Sequence, residues 1–203
     1  MKKKILVLLS IPAFLVACNN SSKDSVDKAD SVNEAKADTT NGNNMNRDSM
    51  NNAGKPTLGV SESAAEFLVK VADVGKTEVI LGQLAEQKAS NKRVKEFGRM
   101  MVKDHSKANE ELKGLAAKRN VTLPSKPGED HQKKIDDLKS KSGKDFDKAY
   151  MDMMEDGHES TVREFENNRD ISDTLVRSFV NKTLPTLRMH LDSAKAIKSA
   201  INQ

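Results

Sequence analysis

The chain has 203 residues, with 34 Lys and Arg against 30 Asp and Glu, and a single cysteine, so no intramolecular disulfide can form and packing alone must hold any fold. Its formal charge is +4, but three of those charges are Lys2, Lys3 and Lys4 in an N-terminal leader, and without them the balance is +1. With 3% aromatic residues, no Trp and one Tyr, the chain also lacks stacking platforms for bases, which excludes nucleic acid as a partner.

The leader, "MKKKILVLLSIPAFLVAC", joins a lysine cluster to an apolar run from Ile5 to Val16. That run is shorter than the ~20 residues a membrane-spanning helix needs, and its flanks are those of a cleaved export signal. Its last four residues, Leu15 to Cys18, resemble the bacterial lipobox, which makes residues 1–17 the signal peptide and Cys18 a lipidated anchor. Asn19 lacks the aspartate that retains some lipoproteins at the inner membrane, so the expected location is the outer membrane, with the domain in the periplasm.

Residues 18–61 are rich in Asn, Ser, Asp and Lys and nearly free of large apolar side chains. Such a segment buries too little surface to offset the entropy of ordering, and is expected to be a disordered tether spanning on the order of 40 Å.

Residues 62–203 carry helical periodicity throughout. A first helix opens at Ser63, with Glu66 placed to complete a capping box, and runs to about Lys88 with Phe67, Val71, Val74, Glu78, Leu81 and Ala85 on one seam. The second, from Ser90 or Asn91 to about Arg119, aligns Val94, Phe97, Met101, His105, Ala108, Leu112 and Leu115. "LPSKPGED" breaks the chain, and a short helix over Asp130 to Lys141 follows. A third long helix, capped by Ser142 or Gly143, presents Phe146, Tyr150, Met154, His158, Val162 and Phe165. Ser172 caps the fourth, with Val176, Val180, Thr183, Leu187, His190, Ala194, Ile197 and Ile201 on its seam and Pro185 predicting a kink. Nothing reads as a strand, and four long helices with a short extra one between the second and third specify an all-α four-helix bundle.

The segments "SAAEFLVKVADVGKTEVILGQLA", "VKEFGRMMVKDHSKANEELKGLA", "FDKAYMDMMEDGHESTVREFE" and "FVNKTLPTLRMHLDSAKAI" resemble the bacterial family called domain of unknown function 4142. Its most specific elements here are the Asp104-His105 pair, His158, and "LPTLRMHL" ending in His190. The resemblance implies a ferritin-like bundle and an exported or outer-membrane location, and assigns no activity.

Glu78, His105, His158 and His190 each fall on one seam, and Glu155 lies three residues before His158. A ferritin-like di-iron centre needs a Glu-x-x-His motif on two helices, and this chain has only the one formed by Glu155 and His158. Imidazoles with a carboxylate do suit copper, iron or zinc, and Met101 and Met154, each four residues before a histidine, add thioethers that bring copper within that range. Counted from the turns, Glu78, His105 and His158 share one level, whereas His190 falls roughly 10 Å lower at the ordinary helix rise. The reading preferred over a metal is structural: Glu78 hydrogen-bonded to His105 or His158 inside the core, with Met as core filler. Asp104 points about 100° away from His105 and is read as solvated or as a support for a ligand. His131 is expected to pack at the edge of the short helix.

No phosphate loop, Ser-His-Asp spacing or Cys nucleophile is present. The chain is therefore read as an envelope lipoprotein with a non-catalytic binding or stress-related module. A transition-metal site and a surface for an unidentified protein partner stand as the alternatives.

Overall fold

The computed structural model describes residues 24–37 and 57–202. The signal peptide, Cys18 and residues 38–56 lie outside the described residues. Those described form six helices: α1 (Ser25–Ala37), α2 (Glu62–Lys88), α3 (Lys92–Lys118), α4 (Glu129–Lys139), α5 (Gly143–Asn167) and α6 (Thr174–Ile201). Helices α2, α3, α6 and α5 pack in that order around a ring, with α4 laid against α2 and α5 and α1 against α2.

The topology follows from the connections. Helices α2 and α3 turn tightly at residues 89–91, where Asn91 caps α3 by accepting from the Arg93 N–H at 2.8 Å. The buried Asp147 of α5 holds the same turn, accepting from the backbone N–H groups of Ser90 and Asn91, each at 2.9 Å, and from the Ser90 hydroxyl. A bridge between Ala89 and Gly143 confirms that α5 starts beside the α2–α3 turn. The connection carrying α4 therefore returns the chain along the bundle, and α5 runs parallel to α3.

The end of α3 is closed by Asn120 in the left-handed region (φ 54°), with the Val121 N–H donating to the Ala116 carbonyl at 2.9 Å and the Asn120 N–H to the Ala117 carbonyl. Helices α2 and α3 also approach closely at a glycine pair. A Cβ on Gly82 would lie 2.8 Å from the Gly98 carbonyl oxygen, and one on Gly98 2.8 Å from that of Gly82.

Several boundaries differ from the sequence reading. The cap of α2 is Ser61, which accepts from the Ala64 N–H at 3.2 Å, rather than Ser63. Asp173, not Ser172, caps α6, because its carboxylate accepts from both Leu175 and Val176 N–H at 3.0 Å while pairing with Arg119 at 2.8 Å. Pro185 lies within α6, on its exposed side. Val71 and Val74 are only half-buried, since α2 also turns faces to α1 and α4 and its buried surface is wider than one seam.

The larger correction concerns the tether. Residues 25–37 are helical and docked, and Leu58 is buried in the core of the domain. Apolar content is not what holds α1. Ser25, Ala29 and Asn33, spaced by four, form a buried stripe of small side chains that allows close approach. Asn33 then pairs with the Thr122 backbone in both directions, donating to its carbonyl at 2.9 Å and accepting from its N–H at 2.8 Å. Lys36 donates to the Asn120 carbonyl and to the Thr122 hydroxyl, both at 2.8 Å.

The apolar interior is divided into two clusters. One gathers Phe67, Leu68, Leu112, Phe165, Phe179 and Leu184, the other Leu81, Phe97, Met101, Tyr150, Met154 and Ile197. Along every bundle helix the gap between them falls at a polar residue: Glu78, His105, His158 and His190.

Candidate metal centre

Seam periodicity buries the three histidines, which are 6%, 1% and 1% exposed for His105, His158 and His190. Their rings form a triangle, with centroids 5.6 Å apart for His105 and His158, 5.4 Å for His105 and His190, and 5.3 Å for His158 and His190. His190 thus stands level with the other two. The count from the final turn put it lower because that count takes α6 to begin at the height where α5 ends. Counted from the end shared with the α2–α3 turn, His190 lies eleven residues from Ile201 and His105 thirteen from Lys92, a difference of about 3 Å at the helix rise. The connection 168–173 takes up the mismatch at the other end.

One nitrogen of each of two rings is committed. His158 Nδ1 lies 2.9 Å from the Met154 carbonyl, and His190 Nε2 lies 3.0 Å from Asp104 Oδ2. Both partners are acceptors, so these nitrogens carry the protons and the opposite nitrogens carry lone pairs. Those opposite nitrogens, His158 Nε2 and His190 Nδ1, are buried without a hydrogen-bond partner, as is His105 Nε2. Burial, followed by the proximity of the other two imidazoles, holds His105 well below the usual histidine range. Burial and His190 bring His158 down to about 4, and burial lowers His190 against the opposing pull of Asp104. All three rings are neutral at pH 7.

Two buried lone pairs, on His158 and His190, beside the unpartnered Nε2 of His105 make an expensive arrangement. Each unsatisfied buried group costs ~1–3 kcal/mol, so the triangle consumes a sizeable part of the ~5–15 kcal/mol that stabilises a domain. A proton cannot relieve it, because protonation is what burial disfavours; an electrophile bound by all three nitrogens can. One ligand atom from each histidine lies within 4.8 Å of the others. Three atoms so spaced all fall within about 2.8 Å of a common point, against ~2.1 Å for a metal–imidazole bond, a gap that small side-chain rotations close. The committed nitrogens complete the pattern, since ligating histidines are usually oriented by a carboxylate or carbonyl on the second nitrogen.

The other expected ligands do not join this group. Glu155 pairs with Lys198 at 2.9 Å on the α5–α6 flank. Glu78 is buried, its Oε1 facing Gly157, where an added Cβ would lie 3.5 Å away, and its Oε2 has no partner. Burial, partly offset by Lys134, pushes its carboxyl up to about 8. The expected hydrogen bond from Glu78 to His105 or His158 is not formed. Met101 and Met154 are fully buried among Phe97 and Tyr150 in the cluster on one side of the histidine layer.

Two further polar pairings flank the triangle, the first being one of the two roles expected of Asp104. Asp104 supports His190, a partner visible only once α3 and α6 are neighbours. His131 Nδ1 lies 2.7 Å from the carboxylate of Asp73, which also accepts from the Gly128 N–H at 2.8 Å, fastening the start of α4 to α2. A cavity of about 260 Å³ reaches His105 between the bundle helices, and a cleft of about 120 Å³ between α3 and α6 touches both His105 and His190.

The family model for "Domain of unknown function (DUF4142)" matches residues 49–197. The chain belongs to the DUF4142 family. No curated protein matches it in sequence. The DUF4142 domain is similar in fold to a DUF305 fragment from Deinococcus radiodurans, with TM-score 0.62 and 9% identity over 70% of this chain and 98% of that one. It is also similar to a DUF305 protein from Streptomyces coelicolor, with TM-score 0.57 and 8% identity over 68% and 92% of the two chains. At these identities the likeness concerns the helical fold alone.

Proposed function

We propose that this DUF4142 protein binds a transition-metal ion through His105 Nε2, His158 Nε2 and His190 Nδ1, as a non-catalytic metal-holding module of the cell envelope. The observation that carries this reading is the convergence of three buried, neutral, unpartnered imidazole nitrogens, two of them on rings whose other nitrogen is fixed. Three imidazoles without thiolate or carboxylate favour zinc or copper over iron, which more often takes two histidines and a carboxylate. The lipobox-like Leu15 to Cys18 supports attachment of the domain to a membrane, and Asn19 in place of a retention aspartate favours the outer one. Among the described residues no helix is long and apolar enough to cross one.

Elemental analysis of the full chain, purified untagged without chelators, tests the metal. Near-stoichiometric zinc or copper, lost in His105→Ala and His158→Ala, is expected; a folded protein that neither carries nor takes up any metal refutes the reading. Metabolic labelling with a palmitate analogue tests the anchor, with label expected on the parent and absent from Cys18→Ala.

A further inference from the structure

The histidine triangle is not closed on every side. His105 and His190 both line the 120 Å³ cleft between α3 and α6, whose walls include Ala108, Thr183 and Thr186. Liquid water occupies ~30 Å³ per molecule, so the cleft holds a few waters or one small ion. Glu78 and Glu155 stay outside the group, and no fourth His, Cys, Asp or Glu among the described residues joins it. A tetrahedral ion with three protein ligands has one position left, the arrangement that separates reactive or exchangeable sites from closed structural ones.

We propose that His105, His158 and His190 leave their ion with one coordination position facing the α3–α6 cleft, where it takes a small anionic ligand. This rests on the metal reading above. The charge of the ligand follows from the donors. Three neutral imidazoles leave a divalent ion's charge uncompensated in its own shell, and Asp104, hydrogen-bonded to the far nitrogen of His190, lies outside that shell. The charged side chains of the cleft cancel, Glu111 against Lys182 at 2.7 Å and Asp104 against Lys107, so the ion's own charge sets the sign of its ligand. Thr183 and Thr186 offer hydroxyl donors to an oxyanion, azide or hydroxide entering between the helices.

The test uses the full chain loaded with cobalt(II), whose visible spectrum reports its coordination, titrated with azide. Ala108→Leu and Thr183→Leu fill the cleft without touching a ligand. The expected result is a saturable spectral change in the parent, and an azide affinity about tenfold or more lower in the filled variants, with cobalt stoichiometry unchanged. One bound cobalt whose spectrum azide does not alter would overturn the open position while leaving the metal site standing, as would filled variants that bind azide like the parent. Failure to bind cobalt, zinc or copper at all would overturn the metal site and the open position with it.

Discussion

Replacing His158 with Leu separates a metal site from a packed polar layer. His158 is 1% exposed, its Nδ1 donates to a carbonyl of its own helix, and its Nε2 faces the other two rings without a partner. Leucine fills a similar volume and leaves no buried lone pair. The metal-free variant is therefore expected to match or exceed the metal-free parent by ~1–3 kcal/mol, the cost of one unsatisfied buried group. For a domain of this size that is a rise of ~2–10 °C in melting temperature. With zinc or copper at about a hundred times Kd, the parent should gain ~2.7 kcal/mol and the variant nothing. Acid supplies a second signature. The folded His158 value of about 4 lies below its ordinary one, so its contribution is present above pH 6.5 and lost as the pH falls toward 4. That loss is on the order of 3 kcal/mol in the metal-free parent and disappears in His158→Leu. Thermal melts by circular dichroism at pH 7 and pH 4, with chelator and with metal, measure all of this. A parent indifferent to every metal, together with a variant several degrees less stable than it, would refute the reasoning.

Asp104→Asn keeps the size of the side chain and removes the charge that orients His190, so metal affinity should fall ~10–100-fold with the number of bound ions unchanged; competition with a chromogenic chelator measures it. Glu78→Gln addresses the buried carboxyl. Its folded value of about 8 stands above the ordinary one, so stability is full below pH ~4.5 and declines as the pH rises toward 8, by up to ~5 kcal/mol. The glutamine variant should abolish most of that decline, and urea midpoints at pH 5 and pH 8 that change equally in both proteins would contradict it. Asn33→Ala removes both hydrogen bonds to the Thr122 backbone and should release α1, at a cost of ~1–3 kcal/mol. Limited proteolysis should then cut within residues 25–37 while the four long helices stay intact.

The four bundle helices and the short fourth helix were legible because each carries a seam of apolar residues three and four apart, and that local period survives whatever the partners are. The helix caps were less legible. Neighbouring candidates such as Ser61 and Ser63, or Ser172 and Asp173, differ by contacts that only the fold supplies, Arg119 beside Asp173 being the clearest. Helix α1 left a faint trace, Ser25, Ala29 and Asn33 at intervals of four, but its apolar content is too low to predict burial. What orders it is hydrogen bonding of the Asn33 and Lys36 side chains to Asn120 and Thr122, more than eighty residues away in the chain.

By itself the sequence determined that three histidines and a glutamate sit at core positions of four different helices, because the side chain's place in the period is a local property. Tertiary structure decided which of them meet. Relative height depends on where each helix starts and on how far a connection carries the chain sideways, and those are properties of the packed bundle. His190 consequently moved into the site, and Glu155 left it for Lys198. Glu78 remained at the same level on the neighbouring helix, facing Gly157, outside the group of three nitrogens.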